Sequence, residues 1–175
     1  MFKNLFSKAK AKDEELTNSE INESKELKEE VDESASVNES SKDYNPDDLI
    51  DMEIALTNCG YMEDMLKEML DLFADSKDEK KAEIAEEYAN EVWEDYRIHV
   101  HALKSTALTV GCVPLHELAK DIELTAKDYL AEEDEAKKVE QIAHIKAHHD
   151  EMMDLYDKTV KVVKDKAAEI VVEED

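Results

Sequence analysis

The sequence predicts an all-α protein, an antiparallel up-down four-helix bundle with a short N-terminal capping helix. Three observations carry this. Two Gly and two Pro in 175 residues are too few to punctuate a chain of strands and turns. Ala, Glu, Lys, Leu and Met, all strong helix formers, are abundant. Aromatic residues make up only 6%, which leaves little to fill a sheet core, while apolar residues recur at three- and four-residue spacing.

The formal net charge of -25 excludes nucleic acid, whose phosphates need neutralising cations. It favours a soluble chain whose partners bring a basic or neutral patch. Cys59 and Cys112 show no metal-ligand spacing, and with no signal peptide in view the expected location is the reducing cytoplasm. No apolar run approaches the roughly 20 residues needed to span a bilayer.

Taken in order, residues 1–44 read as an acidic, disordered tail with a basic amphipathic start. Phe2, Leu5, Phe6 and Ala9 share a helical face. Membrane contact by residues 1–12 is not expected, because one short apolar cluster binds lipid marginally. Leu16, Ile21, Leu27, Val31 and Val37 are too sparse to bury a face.

The composition changes at Asn45-Pro46, a cap followed by a first-position proline. A short helix over 47–58 ends at Asn58-Cys59-Gly60. A longer one starts at Tyr61, carries Leu66, Met69, Leu70 and Phe73 on one stripe and runs to about Asn90. The next spans 93–110 and stops at Gly111. Pro114 starts another, which ends near Asp128-Tyr129. The last follows a near-heptad stripe through Ile145, His149, Met152, Tyr156, Val163 and Ala167. The bundle is assigned to 45–157, with 158–175 as a C-terminal helix extension and acidic end that outruns it.

The chemistry concentrates on the 93–110 helix. At about 100° per residue, Tyr96, Val100, Leu103, Ala107 and Val110 form the core face, with Trp93 at its edge. His101 lies roughly 130° from the centre of that face and points to solvent. Lys104 follows one turn later, and Arg97, the only arginine in the chain, precedes it by one turn. Ile98 and Leu108 are apolar residues on the exposed side. This arrangement suits phosphoryl transfer onto imidazole. Neutral imidazole is nucleophilic, with an unperturbed pKa of about 6.5. A nearby cation stabilises charge on the phosphoryl oxygens.

The segment HALKSTALTVGCVPLHELAKDIE, residues 101–123, resembles the histidine-phosphotransfer (HPt) domain of bacterial two-component phosphorelays. The pattern is His, any residue, Leu, Lys, small residues, a Gly ten positions after the His, then Leu115 and Glu123. WEDYRIHV before it is similar to bacterial members as well, and the resemblance covers about residues 46–157. It implies that His101 accepts the phosphoryl group and that Lys104 neutralises it. Gly111 would let a receiver domain, or the neighbouring helix, approach closely. Ser105 stands where the family often has Gly and keeps the position small. The implied partners are response-regulator receiver domains or a hybrid histidine kinase. The docking surface is assigned to Arg97, Ile98, Ser105, Leu108, Gly111 and Cys112, the last of which continues the face of His101 two turns and more along. The implied protein is a reversible phosphoryl carrier, not an enzyme. It has no nucleotide site and no cofactor, Mg²⁺ being bound by the receiver.

Two other readings stand beside this one. The chain could be a helical adaptor or scaffold in which His101 is incidental. His144, His148 and His149 could form a metal site, since histidines at i and i+4 chelate, but His149 falls on the core stripe and no metal is expected. His99 projects towards the core, and His116 is expected to be solvated.

Overall fold

The computed structural model describes residues 44–171, and every regular element among them is helical. A 3₁₀ turn at Pro46–Asp48 is followed by α1 (Met52–Asn58), α2 (Glu63–Asp75), α3 (Lys77–Ala89), α4 (Trp93–Thr109), α5 (Val113–Ala131) and α6 (Glu135–Glu169). The tail expected over residues 1–44 lies outside the described residues, apart from Tyr44. No described helix is long and apolar enough to cross a membrane.

The expected 47–58 helix is two pieces. Asp51 is extended (φ -97°, ψ 102°) and caps α1, its carboxylate accepting from the N–H groups of Glu53 and Ile54 at 3.0 and 3.1 Å. Its own N–H donates to the Gly111 carbonyl at 2.8 Å. A residue committed to that long-range bond cannot also continue a helix. Leu49 and Ile50, in the link, are buried.

The expected 61–90 helix also divides. The break is Ser76, whose hydroxyl donates to the Phe73 carbonyl at 3.2 Å. Such side-chain bonds compete with the helical ladder and bend it. The bend lets α2 pack on α6 while α3 packs on α4. From α3, Lys77 and Lys81 both reach Asp157 of α6.

The core runs through all six helices. Leu66, Leu70, Ile84, Tyr96, Val100, Leu103, Leu115, Ile122, Ile145, Met152 and Tyr156 are almost wholly buried. The α4 residues expected on the core face are all buried there. The end of α6 differs from expectation. Val163 and Ala167 are buried and Thr159 is fully enclosed, so the helix does not leave the core at residue 157. Its unburied part is at the other end, where no residue from Glu135 to His144 is buried.

Candidate functional site

Helix α4 ends because Gly111 is left-handed, at φ +78°. Cys112 N–H donates to the Ala107 carbonyl at 2.8 Å and Gly111 N–H to the Leu108 carbonyl at 3.0 Å, the two bonds of a Schellman cap. Glycine is required here for a second reason. A Cβ on Gly111 would sit 2.2 Å from the Asp51 carbonyl oxygen. The close approach is made by the chain's own α1 segment, and Gly111 is buried. It is therefore not part of a surface open to a partner.

Cys112 is corrected in the same way. It is fully buried, and burial pushes its thiol up to about 12. The turn at Gly111 sends the next residue inward, so it does not continue the exposed side of α4.

His101 is exposed, its side chain 55% accessible. Across the groove, Glu123 of α5 is 6% exposed, and both its oxygens are engaged. Oε1 accepts from His101 Nδ1 at 3.0 Å and Oε2 from Lys104 Nζ at 2.7 Å. Burial alone would push the Glu123 carboxyl up. The hydrogen bonds from Lys104 and His101, together with their charges, outweigh it and hold the group below its usual value. An ionised carboxylate only accepts hydrogen bonds. The proton of the neutral ring therefore sits on Nδ1, and the lone pair is on Nε2. Lys104 Nζ also lies 3.3 Å from His101 Nδ1. Both are donors sharing one acceptor, so this is a contact of neighbours.

Further bonds fix the frame. The Ser105 hydroxyl donates to the His101 carbonyl at 2.9 Å. His116, expected to be solvated, is largely enclosed (13% side-chain exposure), and its Nδ1–H donates to the Lys104 carbonyl at 2.9 Å. Helix α5 thus holds Lys104 at both its backbone and its ammonium. Ile98 and Leu108 are exposed at 47% and 39%, while Arg97 pairs with Glu94 at 2.9 Å.

The remaining histidines are dispersed. His99 pairs with Glu87 of α3 at 2.7 Å. His144 Nε2 lies 2.6 Å from Asp121, with the His148 ring centroid 4.2 Å from its own. His149 turns into the core, stacked on Tyr88 at 3.6 Å and bonded to the Tyr96 hydroxyl at 3.1 Å. The three α6 histidines do not converge. Among the described residues no group of three or more His, Cys, Asp or Glu side chains is placed to hold a metal.

Glu123 and His116 are named in the sequence reading but given no role in the site. Glu123 did carry a signal. It is an acid set beside Ile122, three residues before Ala126 and four after Ala119, all buried. An acid on an apolar stripe needs a partner.

A family model described as Hpt domain matches residues 68–155, half of the chain. The match spans α4 and α5 whole and begins later than the 46–157 of the sequence resemblance. No curated protein and no solved structure matches.

Proposed function

Because the chain belongs to the Hpt-domain family, we propose that it is a histidine-containing phosphotransfer protein, relaying a phosphoryl group between receiver-domain aspartates through His101. Domains of this family carry phosphoryl groups and do not turn over a substrate. The observation that carries the residue assignment is the Glu123 carboxylate, shared by His101 Nδ1 and Lys104 Nζ.

In the forward step the Nε2 lone pair attacks the phosphorus of an aspartyl phosphate. The N–P bond forms as the P–O bond to the aspartate breaks, and the aspartate leaves as a carboxylate. Positive charge develops on the ring, which keeps its Nδ1 proton, and Glu123 beside that nitrogen stabilises it. Lys104 supplies the cation for the phosphoryl oxygens. Arg97, Ile98, Ser105 and Leu108 form the α4 part of the docking surface. Mg²⁺ belongs to the receiver. The reverse sequence returns the group to a second aspartate.

The architecture that fits this role is an antiparallel up-down four-helix bundle. The α2–α3 pair is its first member, and α1 with the preceding turn caps one end. The reversed order of the Lys104–His116 and His101–Glu123 bonds supports it for α4 and α5. The setting is read as the cytoplasm.

The test is to incubate the protein with a receiver domain carrying a labelled aspartyl phosphate and Mg²⁺. Acid-labile, alkali-stable label should appear in the wild type and vanish in His101→Gln, with receiver binding retained. Full labelling of His101→Gln would show that another residue is the acceptor. Binding with no label in either protein would favour the adaptor reading.

A further inference from the structure

We infer that the docking surface crosses the groove from α4 onto α5, and that Lys120 and Lys127 recognise acidic side chains around the partner's phosphorylated aspartate. This rests on the proposed phosphotransfer role and adds the chemistry by which the partner is chosen.

Residues His116, Lys120, Glu123 and Lys127 fall within about 60° of one another on α5. Two of the four, His116 and Glu123, bond to α4 at Lys104 and His101. Lys120 and Lys127 therefore flank the same groove, slightly further from the core, and both are exposed. Neither has a structural duty elsewhere. Lys120 pairs only with exposed Glu117, three residues earlier, at 3.1 Å, and such pairs contribute little. Lys127 has no carboxylate within 4.0 Å among the described residues. On α4, Arg97 and Lys104 lie within about 60° of His101 on the side facing α5.

Four cations from two helices thus border one histidine, in a chain with 22 Lys and Arg against 47 Asp and Glu; Arg97, Lys104 and Lys120 are paired with Glu94, Glu123 and Glu117, and Lys127 has no such partner among the described residues. At a net charge of -25 the whole protein repels an acidic partner. Screening over about 8 Å at physiological salt leaves the local patch to decide contact. An anionic phosphoryl group in an acidic protein face is the partner chemistry that complements it.

The test uses the full chain with Lys120→Glu and Lys127→Glu combined. A control pair, Lys158→Glu with Lys161→Glu on exposed α6 positions, makes the same change in net charge. Transfer from a phosphorylated receiver is followed against ionic strength. Labelling by phosphoramidate, a small donor with no docking surface, is followed in parallel. The α5 pair should slow receiver transfer about tenfold at low salt, the gap closing as salt rises. The control should change it little, and phosphoramidate labelling should be unchanged in both. Undiminished receiver transfer in the α5 pair overturns the inference and leaves the phosphotransfer role intact. Equal slowing in the control, or a matching loss with phosphoramidate, also overturns it. Failure of the wild type to accept label from any phosphorylated receiver removes the phosphotransfer role, and this inference with it.

Discussion

The two glycines of the chain allow a controlled measurement of what holds the end of α4. Both are left-handed, Gly60 at φ +67° and Gly111 at φ +78°. An alanine at either position incurs the left-handed cost of about 1–2 kcal/mol. The surroundings differ. A Cβ on Gly60 meets nothing nearer than the flexible end of Met62 at 3.9 Å, whereas one on Gly111 lies 2.2 Å from the Asp51 oxygen and 3.3 Å from the Ala55 nitrogen. Both are backbone atoms, so α1 has to move. Moving it loosens the 2.8 Å bond from Asp51 to Gly111, about 1 kcal/mol, and the packing of buried Leu49, Ile50 and Ala55. Gly60→Ala should therefore cost about 1–2 kcal/mol and Gly111→Ala at least 2 kcal/mol more, on these principles. Urea unfolding followed by far-ultraviolet circular dichroism measures both, provided the slope is unchanged. Costs equal within about 0.5 kcal/mol, the usual scatter between independent sites, would refute the close-approach account.

Three further outcomes are expected. Glu123→Ala should shift neutral His101 away from the Nδ1–H tautomer, read from the ring ¹⁵N resonances; an unchanged tautomer would sink the positioning role. His149→Gln should flatten the dependence of stability on pH below about 6.5. Burial holds that imidazole below its usual value, so the unfolded chain binds the extra proton first. The wild type should then lose up to about 1.4 kcal/mol per pH unit as pH falls below about 6.5, and an unaltered slope in the variant would count against it. Cys112 should react with a thiol reagent only through opening of the bundle, so its labelling rate should follow urea stability; rapid labelling of the native protein would contradict its burial.

Much of the site was legible because α4 is long and regular. Its stripe of Tyr96, Val100, Leu103 and Ala107 fixes the rotation of the helix, and with it the exposure of His101. Angular bookkeeping fails where the backbone stops being helical. Cys112 was placed on the exposed side by extending α4 through Gly111, but a left-handed residue reverses the chain and points its successor inward. Ser76 was hidden for a related reason, since its hydroxyl bends the helix without altering the apolar stripe. Glu123 and His116 belong to a third kind. Their contacts depend on how far α5 is rotated and slid along α4, which packing decides and local pattern does not. The register of the resemblance pointed to Glu123 but did not reveal that one carboxylate serves both His101 and Lys104.

The distribution of burial along α6 gives that helix two mechanical parts. From Ile145 to Ala167 it is anchored by side chains in the core. From Glu135 to His144 it is held by its own ladder, by the Asp134 cap, whose carboxylate accepts from Ala136 at 2.9 Å, and towards His144 by half-buried Ile142 and the His144–Asp121 pair. Opening those first turns exposes little apolar surface, so their amides should exchange with solvent through local fraying. Amides around Tyr156 can exchange only when the whole bundle opens. The free end of α6 thus melts as a small unit of its own, while the turns flanking Lys77, Lys81 and Asp157 share the fate of the core.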